Sequence, residues 1–160
     1  MQISYKQALI LSALASFCIL AGAFWFEIIV GLSPCDLCIW QRWPYAIIIA
    51  IAGISLVAIK QNWTLLLIAL SAISTALIGL YHSGVEQGWW SGPSGCSNQL
   101  NSDTDISSLT TSLLELPVVK CDEIAWSLMG ISMAGWNSIA SFSIAIFAFL
   151  CWKKLTQTQG

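Results

Sequence analysis

For most of its length the chain does not alternate between apolar and polar residues. It stays apolar over long stretches, and polar residues gather between them. A hydrocarbon core about 30 Å thick takes roughly 20 residues of helix to cross, and four runs meet that length. The first extends from Ala8 to Val30 with Glu27 as its only charge, the second from Trp43 to Ile59, and the third, uncharged, from Trp63 to Tyr81. The fourth lies within the uncharged stretch Ile124 to Trp152, and its membrane part is placed at Ala134 to Trp152. Small residues recur at four-residue spacing, as at Ser71, Thr75, Gly79 and Ser83, or at Gly130, Ala134 and Ser138. Such stripes let helix backbones approach closely in lipid, where hydrophobicity supplies no net attraction between helices. The expected fold is all-α: one integral-membrane domain over residues 1–160, built as a four-helix transmembrane bundle.

Composition supports this pattern. Of 160 residues 57% are hydrophobic and only 9% charged, against roughly 25% charged in a soluble domain, so there is too little charge to cover a water-facing surface. A net charge of −2 and a pI near 5.1 exclude a nucleic-acid partner, which needs clustered Lys and Arg. The first run also admits a reading as a cleaved signal peptide, with Lys6 before it and an A-x-A site at Ala21, Gly22 and Ala23. Phe24, Trp25, Phe26, Ile28, Ile29 and Val30 carry the run well past the roughly 7 to 15 residues of a signal core, which favours a retained span.

Orientation follows from Lys and Arg in the short flanks. With the N-terminus inside, Lys6, Lys60, Lys153 and Lys154 are cytoplasmic and only Arg42 and Lys120 lie outside. The expectation is N-in, C-in, with outer loops at about residues 31–42 and 82–123. Within the second loop, Ile106, Leu109, Leu113 and Leu116 form an apolar stripe after Asp103 and before Pro117. This pattern predicts a short amphipathic helix lying on the membrane. Trp89 and Trp90 read as interface anchors.

Four of the six cysteines fall on the outer side: Cys35 and Cys38 in the first loop, Cys96 and Cys121 in the second. In an oxidising compartment that number suggests two disulfides, with structural staples as the plainest reading. The spacing Cys35-Asp36-Leu37-Cys38 argues otherwise, because so small a ring constrains little chain, whereas C-x-x-C at a helix start is a redox pattern. Zinc is the other common use of C-x-x-C, but Cys96 and Cys121 do not supply a matching second pair. If the second helix starts near Pro34, Cys35, Cys38 and Arg42 share a face within about 60°, and the cation is either a partner for redox chemistry or a side chain snorkelling to headgroups. Pro44 either kinks this helix or marks its true start. Cys18 reads as span packing, and Cys151 as packing or a palmitoylation site.

The stretch Cys35-Asp-Leu-Cys-Ile-Trp-Gln-Arg-Trp-Pro-Tyr45 resembles the disulfide bond formation protein B (DsbB) family of bacterial inner-membrane thiol oxidases. Tyr81-His-Ser-Gly-Val-Glu86, Trp90-Ser-Gly-Pro-Ser-Gly-Cys96, Cys121-Asp-Glu-Ile-Ala-Trp126 and Ser132-Met-Ala-Gly-Trp-Asn137 are similar to the same family. The resemblance implies a multi-pass protein of the bacterial inner membrane, active on its periplasmic face. Such a protein reoxidises a periplasmic thioredoxin-like oxidant (DsbA-like) and passes the electrons to quinone, ubiquinone or menaquinone, in the membrane lipid. It implies Cys35, Cys38, Cys96 and Cys121 as catalytic residues: the partner thiolate attacks Cys96, Cys121 is released and attacks Cys35, and Cys38 is left facing the quinone. Arg42, Gln41 and His82 are the implied quinone-binding residues; His82 at a span end also reads as a hydrogen-bonded interface residue. No metal is expected. Two rivals stand beside this: a four-span structural protein with inert loop disulfides, and a vitamin K epoxide reductase-like enzyme, in which the loop cysteine pair precedes the membrane C-x-x-C rather than following it.

Overall fold

The computed structural model describes residues 4–58, 61–93 and 120–157. Lys60, Cys96 and the segment Asp103 to Leu116, on which the amphipathic helix was expected, lie outside the described residues. Among the described residues four helices are long and apolar enough to cross a membrane: α1 (Tyr5–Ile28), α2 (Asp36–Val57), α3 (Trp63–Glu86) and α4 (Met133–Gln157). The protein is a four-helix membrane bundle.

Local chemistry explains why the helices overrun the hydropathy boundaries. α1 starts at Tyr5 because Ser4 forms a capping box with Gln7: the Ser4 hydroxyl accepts from the Gln7 N–H, and the Gln7 side chain accepts from the Ser4 N–H, which satisfies two otherwise unpaired donors. α2 starts at Asp36 rather than Trp43, with Cys35 as its N-cap; the Cys35 sulfur accepts the Cys38 N–H at 3.4 Å. Pro44 therefore lies inside the helix and does not begin it. Its carbonyl accepts a hydrogen bond from Ser71 Oγ at 3.1 Å, tying α2 to α3. α3 runs past Tyr81 to Glu86 and takes His82 out of the expected loop and into a helix.

α4 is preceded by a feature that the apolar pattern did not suggest. Ser127–Leu128 (β1) pairs antiparallel with Ile131–Ser132 (β2), Ser127 opposite Ser132 and Leu128 opposite Ile131. The two residues between them, Met129 and Gly130, have φ of 53° and 77°, the left-handed pair that a tight two-residue hairpin requires. Gly130 thus belongs to this turn and not to the small-residue stripe of a span, because its backbone is needed in a conformation that helices do not contain.

The core draws on every helix: Leu9 from α1, Tyr45, Ile48 and Ala52 from α2, Leu65, Ile68 and Ala72 from α3, and Ile144, Ala145 and Ala148 from α4. Leu14, Phe17, Ile54, Leu70, Leu77 and Phe149 point outward, the arrangement expected of a bundle whose solvent is lipid. α3 packs most extensively against α4 and α2, while α1 leans on α2 and touches α4 only lightly. At the α3–α4 crossing the small-residue stripe is used as expected. A Cβ added at Gly79 would lie 3.0 Å from the Ala134 carbonyl oxygen and 3.2 Å from both the Ser138 nitrogen and Gln41 Oε1. Gly79→Val should therefore cost about 1 to 3 kcal/mol through overpacking. Reversible unfolding in mixed detergent, followed by circular dichroism, measures this. Gly53→Val is the control, since a Cβ there meets nothing within 4 Å, and equal losses for the two variants would show that backbone proximity is not the cause.

Candidate functional site

At the end of the bundle where α2 begins and α3 finishes, three chain segments bring their reactive groups together. Cys35, Leu37, Val85 and Cys121 form one buried cluster with Cys38 packed against it. Cys35 is 5% exposed and Cys121 fully buried. Cys35 and Cys38 stand as separate thiols, with the Cys35 sulfur donating to the Cys38 sulfur at 3.2 Å. The Cys35 sulfur also lies 3.5 Å from His82 Nε2. One turn along α3 from His82, Glu86 places Oε1 3.9 Å from the same ring nitrogen, and its side chain is only 6% exposed. The other carboxylate oxygen, Oε2, is buried with no hydrogen-bond partner among the described residues.

A chain of side-chain hydrogen bonds orients the imidazole. Gln41 Nε2 lies 2.9 Å from His82 Nδ1 and donates to the Leu37 carbonyl at 3.2 Å. Gln41 Oε1 accepts from Asn137 Nδ2 at 2.5 Å, and Asn137 Oδ1 accepts from the Tyr45 hydroxyl at 2.5 Å. With the amide nitrogen on Nδ1, the neutral ring carries its proton on Nε2, the side facing Cys35 and Glu86. Thr75 Oγ1 donates to the Gln41 backbone carbonyl at 2.9 Å. Three helices thus hold one ring.

A cavity of about 720 Å³ adjoins this cluster, bordered by all four helices and by residues between 120 and 126. Cys35, Cys38, Gln41, Arg42, His82 and Glu86 give it a polar end, while Ile19, Phe26, Trp126 and Trp136 belong to its apolar wall. It lies where α1 and α4 make little contact. That size, with a mostly apolar wall and a few convergent polar groups, is what small-molecule sites have in common.

A family model described as disulfide bond formation protein DsbB matches residues 5–151. The chain belongs to the DsbB family. Among its relatives, the disulfide bond formation protein B of Nitrosococcus oceani is 30% identical over 158 residues, covering 92% of this chain and 91% of that one. The protein of the same description from a Polaromonas species is 25% identical over 165 residues, covering 96% and 94%. An uncharacterised protein of Rickettsia prowazekii is 29% identical over 146 residues, covering 89% and 85%.

Of the residues that the family resemblance singled out, Cys35, Cys38, Gln41 and His82 meet around one point, with Cys121 in the same buried cluster as Cys35. Cys96 lies outside the described residues. Arg42 lines the cavity, but its guanidinium also forms an ion pair with Glu27 of α1 and lies 5.0 Å over the Phe24 ring. It is therefore anchored within the protein, its side chain 18% exposed, rather than extended to headgroups. Cys18 is exposed on α1 and borders the same cavity. Trp89 is 70% exposed, as an interface anchor would be. Trp90 instead folds back onto α3: its indole N–H donates to the Tyr81 carbonyl at 2.8 Å, and its ring stacks on Tyr81 with centroids 6.0 Å apart. Gly84 lies beneath that indole, where a Cβ would come within 2.2 Å of the ring.

Three participants were missed in the sequence. Glu86 stands four residues after His82, the spacing that puts two side chains on one helix face. Asn137 is a polar amide within a span, and Glu27 the one charge in the first apolar run; both are the kind of group that lipid tolerates only with a partner. The chemistry of the Cys35–Cys38 pair follows from the direction of its hydrogen bond. Donation to Cys38, together with burial, holds the Cys35 thiol above its ordinary value of 9.0, against an opposing hydrogen bond from His82. In the reduced protein Cys35 should keep its proton as the pH rises through 9.0. Iodoacetamide modification of Cys35, mapped by mass spectrometry across a pH series, should have its midpoint above that value. A midpoint at or below it would show that Cys35, and not its neighbour, is the more acidic thiol.

Proposed function

We propose that this protein is a protein-dithiol:quinone oxidoreductase of the bacterial inner membrane. It reoxidises a periplasmic DsbA-like dithiol protein and passes the electrons through two cysteine pairs to membrane quinone. The observation that carries the reading is that Cys121 shares one buried cluster with Cys35, at the edge of an apolar cavity that Cys35 and Cys38 both line. Family membership and the near-complete coverage of disulfide bond formation protein B relatives support it. The four-to-two division of Lys and Arg supports an N-in, C-in orientation, which puts the cysteine cluster on the periplasmic side.

The thiol–disulfide steps use this chain's own sulfurs. A partner thiolate attacks Cys96 of a Cys96–Cys121 disulfide, forming a mixed disulfide and releasing Cys121 as a thiolate. The second partner thiol resolves that bond or, before it does, Cys121 attacks Cys35 of the oxidised pair and displaces Cys38. Each exchange forms one S–S bond and breaks one, and the attacking thiolate is replaced by the one that leaves. Cys121 already belongs to the buried cluster that holds Cys35.

The cavity residues suit a quinone, with apolar walls for the ring and polar groups at one end for its oxygens. When bound there, a quinone would serve as the acceptor of the two electrons and two protons that the Cys35–Cys38 dithiol gives up. Arg42, held by Glu27, and the Nε2–H of His82, held by Gln41, supply fixed donors at the polar end. Such donors favour the charge that develops on a reduced oxygen. A terminal acceptor is needed on energetic grounds. A DsbA-like partner lies at about −120 mV, whereas ordinary structural disulfides lie below about −300 mV and would be oxidised by it.

In membranes from cells expressing Cys121→Ser, the partner should accumulate as a disulfide adduct on Cys96, seen as a reducible band and identified by mass spectrometry as a thioredoxin-like protein. An adduct that persists in the Cys96→Ser, Cys121→Ser double variant, or no adduct in either, would remove the proposed partner step.

A further inference from the structure

We infer that the reduced outer cluster is also a binding site for one thiophilic divalent cation such as Zn²⁺, with Cys35, Cys38, His82 and Glu86 as its four ligands. The inference does not depend on what the protein oxidises. Two sulfurs and one imidazole nitrogen, from Cys35, Cys38 and His82, lie within 4.8 Å of one another. The S–N separation of 3.5 Å matches the spacing of ligand atoms in a tetrahedral site with about 2.3 Å Zn–S and about 2.0 Å Zn–N bonds, and the S–S separation of 3.2 Å would open by about half an ångström to reach it. A two-thiolate, one-imidazole set suits zinc rather than a hard cation.

Glu86 lies beside this three-ligand cluster and would complete it by turning its side chain inward. Its side chain is 6% exposed and 3.9 Å from His82 Nε2, and its Oε2 has no hydrogen-bond partner among the described residues. A buried carboxylate oxygen lacking a partner is costly unless a cation or donor meets it, and a metal held by Cys35, Cys38 and His82 would be that cation. Coordination through Nε2 moves the ring proton to Nδ1. Gln41 meets either tautomer: its amide nitrogen faces an unprotonated Nδ1, as here, and after a half-turn of the amide its oxygen would accept from Nδ1–H, as ligating imidazoles require. The adjoining cavity provides an entry path.

Binding exchanges two thiol protons for the metal: two R–SH and Zn²⁺ give a zinc dithiolate and two H⁺, with no change in oxidation state. The site is therefore gated by redox state, since a Cys35–Cys38 disulfide has no thiolate to offer. Metal occupancy would hold the pair reduced and compete with its reoxidation.

The test uses the full chain in detergent, reduced with a phosphine and titrated with Co²⁺, a spectroscopic stand-in for Zn²⁺. The expected result is one equivalent bound with the visible bands of tetrahedral thiolate-ligated cobalt, two protons released per metal, and displacement by Zn²⁺. Cys96→Ser with Cys121→Ser should keep the bands, because neither is a ligand. Cys35→Ser and prior oxidation of the pair should each abolish them. Glu86→Gln, which keeps the shape and removes the charge, should weaken binding by at least about tenfold. Absence of tetrahedral bands in the reduced chain, bands undiminished in Cys35→Ser, or unchanged affinity in Glu86→Gln would overturn the assignment.

Discussion

Gln41 is a buried amide in a bundle whose surroundings offer no water, and each of its polar groups must therefore find a partner inside the protein. Its carbonyl oxygen meets Asn137 of α4, its amide nitrogen meets the Leu37 carbonyl and His82 of α3, and its backbone carbonyl meets Thr75. The network continues through Asn137 to Tyr45 and Ser141, which are 2.5 Å apart. Satisfying this one side chain fixes the relative depth of α2, α3 and α4. It explains why Gly79 has no side chain, since Gln41 Oε1 lies 3.2 Å from where a Cβ would be. It also aims the Nε2 face of His82 at the cysteines. A half-satisfied polar network in lipid is worse than none, so geometry at the Cys35–Cys38 pair and integrity of the bundle rest on the same bonds.

The parts of the architecture set by the membrane were legible in the sequence. Lipid imposes a length on each span, and the number of helices follows from counting apolar runs. The helix ends were less legible, because they are decided by single hydrogen bonds that hydropathy does not register. The Ser4–Gln7 box moves one boundary, and the sulfur of Cys35, an unusual N-cap, moves another. The β-hairpin before α4 was hidden for a different reason: Ser127 to Ser132 sits in an uncharged stretch, and its turn places Met129 at positive φ, where Asn or Gly would have been the signal.

The site was legible where chemistry demands a spacing and illegible where it depends on tertiary contact. Cys35, Cys38 and Gln41 follow one another on the first turns of one helix, so their proximity could be read along the chain. That Arg42 turns to Glu27 across the α1–α2 interface required the fold, as did the approach of Cys121. The motif Tyr81-His-Ser-Gly-Val-Glu86 makes sense only in three dimensions: His82 and Glu86 face the cysteines, and Gly84 leaves room for Trp90. The cavity was invisible in the sequence, since its lining comes from all four helices and from residues between 120 and 126.

The central claim is that the Cys35–Cys38 pair, in its cavity, delivers electrons to quinone without help from the other cysteines. It is tested most directly in the Cys96→Ser, Cys121→Ser double variant, reduced, freed of reductant and mixed without oxygen with a soluble quinone analogue. The account predicts that quinone absorbance falls by one equivalent per protein while Cys35 and Cys38 become a disulfide, and that a further Cys35→Ser change abolishes the loss. Unchanged quinone absorbance with both thiols still free to alkylate, or quinone loss that survives Cys35→Ser, would contradict it.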